Sequence, residues 1–157
     1  MPRLPLDLNF TRHRIAGYRN ALEANGLPYD QRLVVPGHLT QRGGAGCADV
    51  LLELDPPPTA ILAGNDTMAF GVMSAIRQRG LEVGVDVVVG GFDDVPDAEY
   101  ANPPLTTVRQ PIYEIGRLTC RMLIRVINGE PLDDAHVLLK PELVVRESSG
   151  VRVGSRR

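Results

Sequence analysis

The sequence predicts one α/β domain built around a doubly wound, mostly parallel β-sheet. Its 157 residues are 43% hydrophobic and 23% charged, which suits one compact domain with a sizeable core. The run VVVGG at residues 87–91 is β-branched and almost continuously apolar, as in a parallel strand covered on both faces. Such runs alternate with helical patterns, and this order favours parallel strands joined by right-handed crossovers.

The first elements follow from caps and apolar spacing. A helix is predicted at residues 12–25, because Thr11 can cap its start and Gly26 can end it. A short strand is predicted at residues 32–35. A second helix, at residues 44–54, ends before a triple proline.

The middle of the chain predicts a strand–helix–strand unit. A buried strand is expected at residues 59–63, then a helix ending at Gly80, then a strand at residues 85–90. The helix carries apolar side chains nearly all round its first two turns, so one sheet cannot cover it. A second packing partner is therefore expected for this helix.

The last elements are a helix, a strand and a tail. The helix is predicted at residues 111–128 and the strand at residues 137–146, whereas residues 149–157 are predicted to form a disordered tail. One face of the helix carries an apolar stripe. It consists of Ile112, Ile115, Met122 and Val126.

Composition excludes several classes of function. A net charge of −2 and a pI near 5.9 argue against this chain wrapping a nucleic-acid backbone. The sequence has neither the apolar segment of a signal peptide nor one long enough to span a bilayer, so a cytoplasmic protein is expected. Cys47 and Cys120 lack metal-ligand spacing to any histidine and are predicted to be buried thiols, so neither a metal nor a cofactor is expected.

Polar side chains follow the two strands of the central unit. Asn65 and Asp66 come after the first strand, Asp93 and Asp94 come after the second, and Gln110 follows in PPLTTVRQP. Because carboxyl ends of parallel strands meet at one edge of a sheet, a binding site is predicted there. Alternatives stay open: Asn65 can instead cap the next helix, Asp66 favours that capping role, and Asp94 can be a structural loop carboxylate.

Four motifs in this order and spacing carry a family resemblance: PTAILAGNDTMAFG, VVVGGFDD, PPLTTVRQP and LVVRES. With them the chain resembles the lactose-repressor/galactose-repressor (LacI/GalR) family of bacterial transcription regulators. The resemblance implies a periplasmic-binding-protein-like fold of type I, in which two lobes hold a sugar or nucleoside-like effector between them. It also implies that the DNA-binding helix-turn-helix is not in this chain.

The resemblance assigns most of the chain to the carboxyl-terminal lobe. Residues 11–110 and 136–148 belong to that lobe, whereas the helix at residues 111–129 belongs to an amino-terminal lobe that is otherwise missing. We therefore expect the apolar stripe of that helix to be uncovered, and the isolated chain to be marginally stable or to aggregate.

The resemblance also implies an apolar strand before the first helix. The segment MPRLPLDL stands there instead, and residues 1–10 are expected to be irregular. Pro2 and Pro5 lack the N–H that a central strand needs, so the sheet is expected to lack an edge.

The resemblance implies a set of effector-binding residues. Asp93 accepts hydrogen bonds from the effector, Arg14 reaches it from the first helix, and Gln110 lies where the lobes cross. Leu39 stands where relatives often stack an aromatic ring on the ligand, and Phe10 is a possible substitute. The full predicted set is Asp93, Arg14, Asn65, Gln110, Leu39 and Phe10.

A homodimer is implied through the helix at residues 67–79. The predicted interface residues are Met68, Val72, Met73 and Ile76. Operator DNA would be bound only through a domain absent here, and no membrane is involved.

Two other functions compete with an effector-binding regulator. The sugar-binding protein of a transporter shares the fold. A magnesium-dependent phosphoryl-transfer or receiver-type domain would use Asp93 and Asp94, but Lys140 is the only lysine and neither G-x-S-x-G nor a P-loop is present. The sequence therefore favours a binding module that is not an enzyme.

Overall fold

The computed structural model describes residues 9–132 and 134–150, in which five α-helices, four β-strands and two 3₁₀ turns follow one another. The helices are α1 (Asn9–Ala24), α2 (Gln41–Leu52), α3 (Asp66–Gln78), α4 (Asp97–Tyr100) and α5 (Ile112–Ile127). The strands are β1 (Ala60–Leu62), β2 (Val88–Gly90), β3 (Thr107–Arg109) and β4 (Glu142–Val144). The 3₁₀ turns are Gln31–Leu33 and Glu147–Ser149.

The four strands lie in the order β1, β2, β3, β4. β1 and β2 are parallel, with Ala60 opposite Val88. Single parallel bridges, such as that between Gly90 and Thr106, join β2 to the β3 segment, and β3 pairs with β4 in the antiparallel sense. The predicted α/β class with parallel strands is confirmed.

The core lies where α2 and α3 pack on each other and on the sheet. The two helices approach closely because glycines stand at the crossing: a Cβ on Gly71 would overlap the carbonyl oxygen of Gln41, and one on Gly44 would overlap that of Met68. Met73 and Ile76 of α3 are among the most deeply buried large side chains. The second partner predicted for α3 is therefore α2.

This packing corrects the predicted dimer residues. Met68, Val72, Met73 and Ile76 are all buried within the chain's own core. Their apolar character is explained by the contact between α3 and α2, which leaves these four side chains unavailable to a second subunit. Side chains of α3 that stay accessible include Thr67, Arg77 and Gln78.

The helix α5 stands apart from the core, and none of its residues is buried. Ile112 is 58% exposed and Val126 is 55% exposed, Ile115 is also exposed, and only Met122 of the predicted stripe is half-buried. The expected exposure of the stripe is thus observed. Cys120 is exposed for the same reason, which corrects its prediction as a buried thiol, whereas Cys47 is buried as predicted.

Several predicted elements differ from those of the structure. Residues 32–35 do not form a strand, because the extended backbone at Val34 has no neighbouring strand to pair with in the described part of the chain. The strand predicted at residues 137–146 is confined to β4, because Pro141 interrupts the run and β3 pairs only with residues 142–144.

The amino terminus also differs, because α1 already includes residues 9 and 10, which were predicted to be irregular. Residues 1–8 and 151–157 lie outside the described residues, and so does most of the predicted tail. Of its first residues, Ser149 ends a 3₁₀ turn and Gly150 caps it.

Candidate functional site

The turn that follows β2 holds two adjacent carboxylates in an unusual backbone conformation. Asp93 has φ of 123° and Asp94 has φ of 58°, in the left-handed region that residues with a side chain seldom adopt. Such strain persists only where surrounding contacts enforce it. One of these contacts is the Asp93 N–H, which donates to the carbonyl of Val108 over 2.9 Å.

Asp94 is held by two arginines. Its side chain is only 7% exposed, with Arg109 Nε donating to Oδ2 over 2.6 Å and Arg146 Nη1 lying 2.8 Å from Oδ1. Burial by itself would raise the pKa of Asp94, but the contacts with Arg109 and Arg146 outweigh it and hold that pKa below its ordinary value. These contacts therefore support the alternative in which Asp94 is a structural loop carboxylate and not a ligand-binding group.

The chain's last described residues fasten this turn to the sheet. Arg146 also donates from Nη1 to the carbonyl of Leu105 over 2.8 Å. Ser148 is fully buried, and its hydroxyl accepts from the Thr106 N–H over 2.8 Å and donates to the Val89 carbonyl over 2.7 Å. These roles were missed from the sequence, although LVVRES was singled out as a motif.

The structure separates Asn65 and Asp66, for both of which a capping role was weighed. Asn65 is the N-cap of α3, because its Oδ1 accepts from the Met68 N–H over 2.8 Å. Asp66 is 0% exposed and accepts from the Thr107 hydroxyl over 2.5 Å and from the Val95 N–H over 2.9 Å. The capping role favoured for Asp66 is therefore wrong, and its carboxylate instead ties α3 to β3 and to the turn after β2.

Asp93 and Gln110 come together as their positions at adjoining strand ends suggest. Gln110 Nε2 donates to Asp93 Oδ1 over 2.7 Å, and both side chains are half-buried. This contact leaves the second oxygen of Asp93 and the amide oxygen of Gln110 as acceptors without a partner among the described residues. Both groups are therefore available to a ligand.

Arg14 reaches the same edge of the sheet from α1. It donates to the carbonyl of Gly64, directly after β1, and its guanidinium lies 3.7 Å from the ring centroid of Phe92 and 5.6 Å from that of Phe10. Burial lowers the pKa of Arg14, and the nearby charge of Asp93 opposes that shift. The Phe92 stacking partner was missed from the sequence, although it directly precedes the predicted Asp93.

A cavity of about 550 Å³ adjoins these polar groups. Phe10, Arg14 and Leu39 line it, together with Gly64 and Phe92. Asn65 and Asp93 each follow one of these lining residues in the chain. Of the six predicted effector residues, Phe10, Arg14 and Leu39 therefore line the cavity, and Gln110 contacts Asp93. Ligands of α/β proteins bind at the carboxyl ends of parallel strands, where Asn65 and Asp93 stand.

The available groups define what this site can hold. Arg14 and the amide of Asn65 offer donors, whereas Asp93 and Gln110 offer acceptors, and the charges of Arg14 and Asp93 cancel. A neutral ligand with several hydroxyl groups matches this pattern. No group of three or more metal-binding side chains occurs within residues 9–132 and 134–150.

An α/β lobe with polar groups at its strand ends beside an apolar cavity has the architecture that small-molecule binding domains use. The profile of the family described as "Periplasmic binding protein-like domain" matches residues 7–149. The chain belongs to that family.

Its relatives are regulators of the LacI family, which confirms the resemblance seen in the motifs. The HTH-type transcriptional repressor CytR of Escherichia coli K12 is 34% identical over 145 residues, which are 92% of this chain and 42% of that protein. Two solved structures superpose with TM-scores of 0.86. One is a regulatory protein of the LacI family from Chloroflexus aggregans, 39% identical over 94% of this chain and 53% of that one.

The second is the complex of the transcriptional regulator CelR with cellobiose, 38% identical over 92% of this chain and 44% of that one. The chain thus spans about half the length of these relatives. No described helix is both long and apolar enough to cross a membrane.

Proposed function

We propose that this chain forms one wall of the effector site of a LacI-type transcription regulator and binds a neutral sugar or a nucleoside-like metabolite. The observation that carries the proposal is the convergence of Arg14, Asp93 and Gln110 beside one cavity. One relative, the regulator CelR, forms a complex with the sugar cellobiose, which supports a sugar as the ligand. The same proposal gives the chain no catalytic activity and a cytoplasmic location, where a regulator meets its DNA.

The donor and acceptor pattern favours a sugar over a charged metabolite. A polyol hydroxyl can accept from Arg14 and at the same time donate to Asp93. An anionic ligand would gain from Arg14 but would be repelled by Asp93, and the reverse holds for a cation. Leu39 offers no aromatic surface to a sugar ring, so Phe10 and Phe92 are the rings nearest the ligand.

A homodimer and operator binding through a further domain belong to the same proposal. Because the apolar residues of α3 lie in the core, the dimer we propose uses the accessible side chains of α3. The dimer is tested first by substituting the exposed residues Thr67, Arg77 and Gln78 and measuring the oligomeric state.

The effector proposal is tested by NMR titration of the ¹⁵N-labelled chain with cellobiose, glucose, adenosine and MgCl₂ in turn. One wall encloses a ligand incompletely, so dissociation constants in the millimolar range are expected. Shifts should concentrate at residues 64–65, 92–93 and 110. Asp93→Asn should weaken the affinity for the ligand at least about tenfold, because the charged acceptor is lost.

The matched control is Asp97→Asn, which changes an exposed carboxylate of α4. It should bind like the unchanged chain. Absence of shifts at the strand ends with both sugars and adenosine would contradict the proposal. Shifts there with magnesium alone would favour the phosphoryl-transfer alternative.

A further inference from the structure

A second cavity, of about 300 Å³, lies between α1 and the segment that contains residues 29–31. We call it the arginine cavity, and its lining consists of Arg12, Ile15, Ala16, Arg19, Tyr29 and Gln31. Of these residues only Ile15 also lines the cavity assigned to the effector. The arginine cavity is therefore a separate concavity with its own polar groups.

Two arginines without carboxylate partners line the arginine cavity. Arg12 and Arg19 stand seven residues apart on α1, which places them on one face of the helix and roughly 10 Å apart along its axis. Neither forms an ion pair with any of the residues 9–132 and 134–150, whereas Arg79 and Arg109 each contact a carboxylate. Two like charges that line one cavity repel each other, and a bound anion would remove that repulsion.

Aromatic and amide contacts hold the donors of the cavity in place. The guanidinium of Arg19 lies 4.4 Å from the ring centroid of Tyr29, and that ring lies 6.1 Å from the ring of Tyr18. A guanidinium over a ring keeps the N–H groups on its edges available. The Tyr29 hydroxyl donates to Gln31 Oε1 over 2.9 Å, so the NH₂ group of Gln31 remains as a donor towards the cavity.

No acidic side chain competes for these donors. The lining of the arginine cavity contains neither Asp nor Glu. Asp30 lies between two lining residues in the chain, but Arg32 already neutralises it. Arg32 donates to Asp30 Oδ2 from Nε over 3.0 Å and from Nη2 over 2.7 Å. The cavity therefore offers positive charge and N–H donors to a ligand from outside.

We propose that the arginine cavity binds a phosphate group, either as free phosphate or as the phosphomonoester of a small metabolite. Arg12 and Arg19 neutralise its charge and donate to its oxygens, because a guanidinium matches the geometry of phosphate with two parallel N–H groups. Gln31 donates to a further oxygen. Ile15 and Ala16 lie between the two arginines along α1 and give the carbon skeleton of an ester an apolar surface.

The two cavities select ligands of different charge. In the effector site the charge of Arg14 is balanced by that of Asp93, which suits a neutral ligand. In the arginine cavity the charges of Arg12 and Arg19 are not balanced within the lining. A phosphate group is therefore attracted to the arginine cavity and not to the effector site.

The experiment titrates the full ¹⁵N-labelled chain with sodium phosphate, glycerol 3-phosphate and glycerol in turn, at constant ionic strength set with NaCl. The signals followed are the Nε–H groups of Arg12 and Arg19 and the side-chain NH₂ group of Gln31. Both phosphates should shift these signals in a saturable way, whereas glycerol should not. Tighter binding of glycerol 3-phosphate would identify an ester as the ligand, and tighter binding of sodium phosphate would identify the free ion; both results support the site.

Charge-removing variants provide the second arm. Arg12→Gln and Arg19→Gln should each weaken phosphate binding at least about fivefold, because each removes a charged donor. Arg19→Lys should weaken it less than Arg19→Gln, since it keeps the charge and loses the planar fork. The matched control is Arg42→Gln, which removes the same charge from an exposed position of α2 outside the cavity and should leave the affinity unchanged. If Arg19→Gln disturbs Tyr29, Arg12→Gln still decides, because Arg12 makes no contact with that ring.

Several outcomes would overturn the proposal. One is the absence of shifts at Arg12, Arg19 and Gln31 with both phosphates. Another is an equal loss of affinity in Arg42→Gln, which would show attraction to the overall charge and not to a site. Shifts confined to residues 64–65, 92–93 and 110 would place the anion in the effector site instead. Binding of a DNA duplex without binding of either small anion would identify an extended polyanion as the partner.

The arginine cavity and the effector site are followed through different signals. Failure of phosphate to bind therefore leaves the effector proposal standing, and failure of sugars and adenosine to bind leaves the phosphate proposal standing.

Discussion

At the scale of single residues, the site is organised by carboxylates that do not face a ligand. Asp66 and Asp94 are buried and hold the backbone around Asp93, which keeps an oxygen available. The two adjacent residues of the turn thus have different roles. Asp94 anchors the turn to Arg109 and Arg146, and Asp93 keeps one carboxylate oxygen available as an acceptor. The left-handed conformation of both makes this division possible, because it turns the two side chains towards different partners.

Asp66→Asn should destabilise the chain by about 2 kcal/mol, measured by urea unfolding. The amide can accept from Thr107 or from the Val95 N–H, but its NH₂ group then faces the other donor. Asp97→Asn should change the stability by less than about 0.5 kcal/mol, since that carboxylate is exposed. Equal effects of the two substitutions would contradict the anchoring role.

Protonation of Asp94 should lower the free energy of unfolding at acid pH. Its folded pKa is lower than its unfolded one, so its contribution is fully present above about pH 4 and is lost as the pH falls through the folded pKa. Asp94→Asn should cost about 1–3 kcal/mol at pH 7, and the gap from the unchanged chain should close below pH 4. Unfolding by urea at a series of pH values measures this.

The control for Asp94 is Glu142→Gln, which alters the outer contact of Arg109. Glu142 lies 3.6 Å from Arg109 and its side chain is 71% exposed, so its loss should matter little. A gap for Asp94→Asn that stays constant from pH 7 to pH 3 would show that the arginine contacts do not shift its titration in the folded chain.

At the scale of elements, the crossing of α2 and α3 sets the core, and glycine makes it possible. Gly71→Ala should destabilise the chain by about 1–3 kcal/mol, because the added methyl overlaps the backbone of α2. Gly116→Ala is a matched control within α5, where a Cβ meets nothing within 4 Å. It should stabilise by about 0.5–1 kcal/mol, as alanine does in a helix interior. Thermal and urea unfolding of both variants give the comparison, and stabilisation by both would contradict the close crossing.

At the scale of the whole molecule, the stripe on α5 and the open edge of β1 are surfaces that nothing covers within residues 9–132 and 134–150. Exposed apolar area of this kind favours association between chains. Sedimentation velocity should therefore show association that increases with concentration, and the double variant Ile112→Glu with Val126→Glu should reduce it. The unfolding free energy of the double variant should change by less than about 1 kcal/mol, because both side chains are already exposed. A concentration-independent monomer of the unchanged chain, with cooperative unfolding at high temperature, would contradict this expectation.

Local pattern predicted the elements best where caps and apolar periodicity agree, as in α1, α3 and α5. It failed for residues 32–35, because a strand exists only where a neighbour pairs with it, and the neighbouring position is the cavity. It also misread α3: an all-round apolar helix indicates two partners, but the pattern does not say whether the second is another helix or another subunit.

The sequence by itself determined the α/β class, the family, and the cluster of polar residues at the carboxyl ends of the strands. The position of the polar cluster follows from chain order, since the residues after each parallel strand lie at the same edge of the sheet. Only the tertiary structure decided which carboxylate anchors and which one faces the cavity. Asp66 meets Thr107 across 41 residues of sequence, and Asp94 meets Arg146 across a still longer separation. Such pairings depend on how distant segments pack, and no local pattern encodes that.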